Sequence, residues 1–364
     1  MPDAAAPKTT DVRRFACPGC GATLIYAAGI AKLRCEYCDT EQEVPKEGTA
    51  PTERALEELL SGKSERGWGA ETVTFDCKSC GASVTLPPNQ AAGRCPFCDN
   101  DVVVQRPSDP NLIRPESLIP FKVDKNAAAN EFRDWLGKLW FRPNNLKRMA
   151  WLSDIKGVYS PYWTFDAQAQ SRWTAESGYY YYTTETYTDS EGKEQSRQVQ
   201  HTRWEPSSGW HQDFHNDVLI CASSLVEELV GGLEPFNTTT ALVPYRPEYL
   251  SGWMAEEYKV GPADGWKRGE GRIMRREYDA CHAQVPGDTQ RNLNVSTRLD
   301  KITWKHVLLP VWIAAYRYNG KVYRFMVNGE TGQVSGEAPL SWVKVAALIA
   351  FIIAVIAIMV QYSN

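Results

Sequence analysis

The sequence lacks the features that mark nucleotide-driven motors and nucleic-acid-binding modules. It contains no GxxxxGK[ST] phosphate loop and no GxGxxG motif opening a helix, so no helicase motor is predicted. It also lacks a basic segment, since the net charge is −4 and residues 1–106 hold 12 Lys and Arg against 15 Asp and Glu. Because nucleic-acid affinity comes largely from cations that neutralise phosphates, this charge balance disfavours a nucleic-acid-binding module.

An apolar secretory signal is also missing, since residues 1–11 contain no apolar stretch. The long apolar run lies near the other end, where residues 345–360 include no charged or polar side chain. With its flanks, a helix over 342–362 is long enough to cross a bilayer, with Trp342 and Tyr362 at the two interfaces. Basic residues precede this segment and none follows it, which predicts a single-pass anchor in the cell inner membrane with the N-terminal domains in the cytoplasm.

Eight of the ten cysteines fall into two blocks with one spacing, and each cysteine of the second block lies sixty positions after its counterpart. Flanking glycines, arginines and aspartates repeat with the same offset, which indicates an internal duplication. The candidate metal ligands are Cys17, Cys20, Cys35 and Cys38 in the first block, and Cys77, Cys80, Cys95 and Cys98 in the second.

This spacing predicts two zinc ribbons, at 1–44 and 71–106. Each CxxC turn presents two thiolates to one side of a metal, and a hairpin of about fourteen residues returns the second pair to complete a tetrahedron. Disulfides are disfavoured because the predicted topology places the thiols in a reducing compartment. We expect two Zn²⁺ ions, with iron in an S4 site as the alternative. Four sulfur ligands leave no open coordination position, so both sites are expected to be structural.

Residues 107–340 alternate helical and strand patterns and predict an α+β domain. Its halves, about 117–225 and 241–340, share the motifs Ser-Leu-Ile-Pro-Phe with Ala-Leu-Val-Pro-Tyr, and Val-Tyr-Ser-Pro-Tyr-Trp with Val-Leu-Leu-Pro-Val-Trp. We therefore expect two diverged repeats with antiparallel sheets. Asp124 is suited to cap a helix that ends by Pro143, and Asn319-Gly320 suits a type I′ hairpin turn. A linker with a short helix is expected over 45–70.

Four further features of the sequence bear on possible sites. Tyrosines at 179–187, with the strand at 197–204, predict a long hairpin that is either packed on both faces or forms a partner-binding or oligomer surface. His211 and His215 with Asp213 between them would suit a metal only on a helix, and their flanks predict loop and strand instead. Cys221 and Cys281 are expected to be buried as small apolar residues. A basic helix face, most simply solvated and otherwise suited to anionic headgroups or an acidic partner, is formed by Arg268, Arg272, Arg275 and Arg276, opposed by Glu270 and Glu277.

Taken together, these motifs resemble a family of bacterial membrane-anchored proteins with a TFIIB-type double zinc ribbon. The resemblance rests on the paired ribbons, the terminal anchor, Ile-Pro-Phe-Lys-Val-Asp at 119–124, Gly-Val-Tyr-Ser-Pro-Tyr-Trp at 157–163, Leu-Pro-Val-Trp at 309–312 and Val-Asn-Gly-Glu-Thr-Gly at 327–332. Members often carry the label primosomal protein N-prime, a superfamily II helicase. Similar proteins are associated with the phage-shock and SPFH-type membrane-stress apparatus, which implies a recruiting role at the inner membrane and no catalytic residues.

The leading hypothesis is a membrane-anchored scaffold that gathers protein partners at the cytoplasmic face through its ribbons or its aromatic α+β domain. The alternative is a nucleic-acid-binding ribbon protein without a helicase motor, which the charge of residues 1–106 disfavours. No enzyme activity is predicted. The anchor places Ala346, Ala350 and Ala354 on one helix face, which would permit a homo-oligomer, although alanine is also common filler in membrane spans.

Overall fold

The computed structural model of the chain describes residues 15–44, 53–61, 64–68, 72–86, 94–100, 103–144, 146, 155–188, 190, 192–224 and 227–363. Parts of the predicted linker over 45–70, the first fourteen residues and positions 189 and 191 at the tip of the predicted hairpin lie outside these ranges. The described part is a mixed α+β structure with two four-cysteine clusters and one apolar helix near its C-terminus.

The helices and strands alternate as the sequence patterns predict. In chain order the elements are β1 (Leu24–Ala27), β2 (Lys32–Cys35), β3 (Glu41–Glu43), β4 (Arg54–Ala55), α1 (Leu56–Leu60), β5 (Val73–Cys77), β6 (Ser83–Leu86), β7 (Val103–Pro107), β8 (Ser117–Leu118), α2 (Lys125–Lys138), β9 (Lys156–Thr188), β10 (Glu194–Cys221), α3 (Glu227–Gly231), β11 (Val243–Pro244), a 3-10 helix (Pro247–Leu250), β12 (Met254–Glu256), α4 (Pro262–Gln284), β13 (Thr289–Tyr318), β14 (Lys321–Asn328), β15 (Val334–Gly336) and α5 (Trp342–Ser363).

The first ribbon has a small antiparallel sheet of its own, in the order β1-β2-β3. It rests on the segment that follows the 3-10 helix. The Tyr26 amide donates to the Ser251 carbonyl at 2.9 Å, and the Trp253 indole donates to the Tyr26 carbonyl at 2.7 Å. The side chains that this ribbon buries form a separate small cluster, which only Tyr249 and Trp253 join from the rest of the described chain.

The second ribbon is part of the large sheet. The sequence instead predicts a domain boundary at 106, between this ribbon and the α+β domain. Strands β5, β6 and β7 form its antiparallel sheet, and β12 joins this sheet to β9. Its buried Phe97 and Val84 share a core with Leu309 and Met326 of the large domain. The two ribbons therefore have the same cysteine spacing but different relations to the rest of the chain.

The centre of the large sheet is the antiparallel pair of β9 and β13, and it brings the two copies of the predicted motif together. Val158 pairs with Val311, Ser160 with Leu309, and Tyr162 with Val307. Only the central motif positions, Ser160 and Leu309, pair directly. The other positions, such as Val158 and Val307, are related by a local two-fold axis at that pair. Strands β8 and β11, which hold the other motif, are also antiparallel to each other. The duplication itself stays a prediction. The sheet is mixed, because β12 pairs with β9 and β8 with β13 in parallel.

Helices α2 and α4 pack against aromatic side chains of the large sheet. The predicted cap of α2 is confirmed, since the Asp124 carboxylate accepts from the Ala127 amide at 2.9 Å. The helix ends at Lys138, before Pro143. In α4 the buried residues recur every four positions, as a helix face against a sheet requires: Gly265, Gly269, Ile273, Glu277 and Cys281. The predicted helix with a basic face is thus confirmed, but Glu277 is buried and does not oppose the arginines in solvent.

The predicted tyrosine hairpin is formed by β9 and β10 and extends beyond the rest of the sheet. Strand β9 has 33 residues, which at about 3.3 Å per residue gives a length of roughly 110 Å. Strand β13 accompanies it only as far as Gly178. Beyond that point the hairpin is two-stranded and its tyrosines are exposed, including Tyr180, Tyr181 and Tyr182. The hairpin is therefore not packed on both faces by the described part of the chain. We call residues 179–188 and 194–204 the arm.

Two other local predictions are confirmed. Strand β13 ends at Tyr318 and β14 begins at Lys321, so Asn319 and Gly320 form the hairpin turn, with φ values of 49° and 77°. The apolar C-terminal segment is one helix, α5. Its span Trp342–Tyr362 has a mean hydropathy of 2.9, and none of its apolar window is buried against the described chain. By length and composition this helix can cross a membrane.

Candidate metal centres

The first four-cysteine cluster has the geometry of a tetrahedral metal site. The Sγ atoms of Cys17 and Cys38 lie 3.4 Å apart, and Cys20 lies 3.5 Å from both Cys35 and Cys38. A tetrahedron with metal–sulfur distances of about 2.3 Å has edges of roughly 3.8 Å, whereas a disulfide brings its sulfurs to about 2.05 Å. The four thiols are free and fit one metal ion.

The second cluster repeats this arrangement in a more buried setting. Cys77 and Cys98 are 3.6 Å apart, as are Cys80 and Cys95. Cys77, Cys95 and Cys98 are buried, whereas Cys20 and Cys38 of the first cluster are exposed. The eight predicted ligands are therefore brought together in two groups of four, consistent with two metal ions.

Backbone hydrogen bonds explain why each CxxC turn directs its sulfurs inward. In the first ribbon the Gly21 amide donates to the Cys17 carbonyl at 2.8 Å, and in the second the Gly81 amide donates to the Cys77 carbonyl at 2.9 Å. Both glycines have positive φ, at 74° and 77°, a conformation that glycine adopts without strain. The chain thus turns tightly beneath the first two sulfurs of each centre.

The second turn of each centre uses an aspartate where the first uses glycine. Asp39 and Asp99 have φ values of 57° and 55°, and each carboxylate accepts from the arginine five residues before it. The Arg34–Asp39 and Arg94–Asp99 distances are 2.7 Å and 3.1 Å. The sixty-residue repeat in the sequence includes these four residues. It does not indicate that each arginine pairs with its aspartate and stabilises the turn.

The thiols of the second centre influence one another's protonation. The hydrogen bond with the Cys95 thiol lowers the pKa of Cys80 to about 5, and the same bond raises the pKa of Cys95. A thiolate is the form that binds a metal, and a metal replaces the remaining thiol protons. Metal binding by this centre therefore competes with protons.

Ribbon 2 is held to the large domain by a buried carboxylate that sequence reasoning missed. Glu257, which directly follows β12, accepts from Thr74 at 2.6 Å and from Arg106 at 2.6 Å. Arg106 also donates to Asp76 at 2.7 Å, and Lys259 donates to the Ser83 hydroxyl at 2.6 Å. Nothing in the local sequence around Glu257 indicates this role, because its partners lie more than 150 residues earlier in the chain.

The other predicted features lie apart from the cysteine centres. The segment from His211 to His215 is part of strand β10, as its flanks predict. Cys281 is buried, as predicted, and Cys221 is half-buried against the same core as ribbon 2. Arg272 of the basic helix face is not simply solvated, since it donates to the Leu219 carbonyl at 2.7 Å.

Comparison with known proteins gives one distant relative over nearly the full length. The chain is 26% identical over 342 residues to the uncharacterized protein YdjG of Bacillus subtilis (strain 168), and the match covers 92% of each chain. The similarity therefore extends well beyond the cysteine blocks. No family model and no solved structure matches the chain.

Proposed function

We propose that this protein is a membrane-anchored zinc-ribbon scaffold that gathers protein partners at the cytoplasmic face of the inner membrane. The observation that carries the proposal is the helix α5, which is long and apolar enough to cross a bilayer and is not covered by the described chain. An apolar helix of this length is stable in water only if something buries it, and a bilayer does so.

The helix starts directly on the folded domain, with no spacer between them. The Ser341 amide donates to the Phe141 carbonyl at 2.6 Å, and the Lys344 ammonium donates to the Trp140 carbonyl at 3.1 Å and to Asn144 Oδ1 at 2.7 Å. Near this contact the indoles of Trp140 and Trp342 are 78% and 75% exposed. Indole side chains favour the headgroup region, so this junction suits the membrane surface and would hold the α+β domain against it.

We assign zinc to both centres because four-cysteine zinc sites are typically structural, although a tetrahedral S4 ligand set also suits iron. All four ligands are sulfur, which leaves no position for substrate or water, and the second centre lies within the core of the domain. The proposed zinc ions therefore hold recognition and scaffold elements in place.

The charges of the ribbons argue against the nucleic-acid alternative. Lys32 pairs with Glu41 at 3.0 Å, Arg34 pairs with Asp39, and Arg94 pairs with Asp99. Arg106 is shared between Asp76 and Glu257. Cations already paired with carboxylates contribute less to phosphate binding, and each S4 zinc site would add a charge of about −2.

The arm is the surface that this proposal assigns to protein partners. Its exposed tyrosines lie on a long two-stranded hairpin whose backbone is fixed by cross-strand pairing. Tyrosine side chains supply large contact areas with a polar tip, as partner surfaces commonly do. The resemblance described above suggests partners of the phage-shock or SPFH type.

Site-specific photo-crosslinking in intact cells tests this proposal. A photoreactive residue in place of Tyr182 on the arm should form crosslinks to a protein, and these should resist nuclease. The same residue in place of Tyr278, an exposed tyrosine on α4, is the matched control and should not form them. A chain truncated after Ser341 should leave the membrane fraction and lose the arm crosslinks, because its partner would no longer be concentrated beside it.

Two outcomes would contradict the proposal. Crosslinks from the arm to nucleic acid would favour the alternative function. A truncated chain that stays in the membrane fraction would show that α5 is not the anchor.

A further inference from the structure

Three metal-ligating side chains from two elements meet outside the ribbons, at the base of the long hairpin. His211 and Asp213 lie on β10, and Glu277 lies on α4. One ligand atom from each lies within 4.8 Å of the other two. Alternate residues of a strand face the same side, so the spacing of two on β10 directs both side chains toward α4. A strand therefore brings these ligand side chains together, whereas the sequence analysis expected a metal site here only on a helix.

Glu277 is the centre of this cluster and is almost completely buried. Its side chain is 1% exposed, and it is the one charged member of the buried face of α4. Its Oε2 atom accepts from the Ser171 hydroxyl at 2.6 Å, and its Oε1 atom lies 2.8 Å from His215 Nε2. These two bonds hold the carboxylate in a fixed orientation toward β10.

The imidazole of His211 is directed at the same carboxylate without bonding to it. Its Nε2 atom is buried, has no hydrogen-bond partner among the described residues, and lies 4.0 Å from Glu277 Oε1. A separation of 4.0 Å is too long for a hydrogen bond. Neighbouring ligand atoms of one ion with metal–ligand distances of about 2.0–2.2 Å lie roughly 3–3.5 Å apart, so an approach of the two side chains by less than about 1 Å would let one ion contact both.

The surroundings supply access from solvent and a partner for the other ring nitrogen. Solvent reaches the cluster directly, because Asp213 is exposed and the side chain of His211 is 20% exposed. His211 Nδ1 lies 2.8 Å from the side-chain amide of Gln284. Gln284 Nε2 faces His211 Nδ1, while Gln284 Oε1 accepts from the Trp173 indole at 3.3 Å. Coordination through His211 Nε2 therefore requires the Gln284 amide to turn, so that its oxygen accepts the Nδ1–H.

We propose that His211, Asp213 and Glu277 form a third metal site, for a divalent transition-metal ion with nitrogen and oxygen ligands. The mixed ligand set suits Mn²⁺ and Zn²⁺, in contrast to the sulfur ligands of the ribbons. Asp213 is exposed, so water completes the coordination on its side. This site is independent of the proposed scaffold function, because it lies within the α+β domain and uses none of the eight cysteines.

Mn²⁺ is the appropriate probe because thiolate sites select softer ions and the ribbons will not take it up. The full-length protein in detergent, with both ribbons loaded with zinc, is titrated with Mn²⁺ while free and bound ion are followed by electron paramagnetic resonance. We expect one Mn²⁺ per chain. His211→Ala and Glu277→Gln should each weaken binding by at least about tenfold, since each removes a ligand. Glu270→Gln, on the same helix outside its buried face, should bind as the wild type does.

Retention of two zinc ions and an unchanged thermal transition show that a variant is folded. If Glu277→Gln does not fold, the His211→Ala variant still tests the proposal, because His211 is partly exposed and its loss removes little packing. Absence of Mn²⁺ binding by the wild type at millimolar concentration would overturn the proposal. Equal binding by the wild type and a folded His211→Ala variant would also overturn it.

Discussion

The different settings of the two ribbons predict that equivalent ligand mutations have unequal effects. Cys35 and Cys95 occupy the same position in the repeat, but Cys35 belongs to a small separate cluster and Cys95 to the core of the large domain. We therefore compare Cys35→Ser with Cys95→Ser. Each should lose one of two zinc ions, because a structural zinc site does not persist with three of its four sulfur ligands.

The expected difference in stability follows from what each ribbon buries. Loss of order in ribbon 2 would uncover Phe97 and Val84, and burial of each such side chain contributes about 1.5–3 kcal/mol. The sum, roughly 3–6 kcal/mol, is a large part of the ~5–15 kcal/mol that stabilises a typical domain. At about 2–4 °C per kcal/mol, Cys95→Ser should lower the main transition temperature by roughly 6–24 °C. For Cys35→Ser the main transition should change little.

Metal content by mass spectrometry and unfolding by scanning calorimetry, on the full-length protein in detergent, measure both quantities. The reasoning would be refuted if the two variants shifted the main transition equally. It would also be refuted if Cys95→Ser lost its ion and unfolded at the wild-type temperature. Iron in place of zinc in the purified protein would contradict the proposed metal.

Three further predictions use other parts of the chain. A Cβ at Gly269 would lie 2.7 Å from the buried Phe165 ring, whereas one at Gly271 meets nothing within 4 Å, so calorimetry should find Gly269→Ala less stable than Gly271→Ala by roughly 1–3 kcal/mol. Ala350→Leu should preserve membrane insertion but reduce crosslinking between copies of α5 if its small-residue face mediates association, and Leu348→Ala should not. Because thiolates are the ligands and protons compete for them, chelators should remove the metal faster as the pH is lowered, and a removal rate that does not change between pH 8 and pH 5 would contradict this.

Local signals in the sequence predicted the elements whose geometry is set by neighbouring residues. A CxxC turn and a short return hairpin need only about twenty residues, so the spacing was sufficient to predict both metal centres. The same holds for the cap at Asp124 and for the turn at Asn319 and Gly320, both of which are confirmed. In each of these cases the hydrogen bonds that decide the structure join residues close in the chain.

Features that depend on distant pairing were not predicted. The strand β12 joins ribbon 2 to the large sheet through bonds to β6 and β9, which lie far earlier in the chain, and its three residues give no pattern of their own. Likewise, the pattern around His211 gave no indication that Glu277 would be buried beside it. The spacing of charges on α4 placed Glu277 opposite the arginines, but packing of the helix on β10 decided that this carboxylate faces the core.

The two motif copies show how far sequence similarity and structure agree about a duplication. Pro161 and Pro310 occupy equivalent positions in the motif, and both lie within central strands, where proline is rare because it cannot donate to a neighbouring strand. Their carbonyls are used in the same way: Pro161 accepts from the Ala222 amide at 2.9 Å, and Pro310 from the Gly329 amide at 2.8 Å.

Each of these donors immediately follows the outer strand that pairs with the proline's own strand, β10 in one half and β14 in the other. A shared environment of this kind gives a physical reason for the shared motif, because both prolines end the pairing of an outer strand at the same place. The two motif pairs have different offsets because the segment between the motifs differs between the halves. In the first half this segment contains α2, and in the second it contains β12 and the longer helix α4. If the halves arose by duplication, insertions there would lengthen one half without disturbing the antiparallel pair at the two-fold axis, and only short motifs would stay similar.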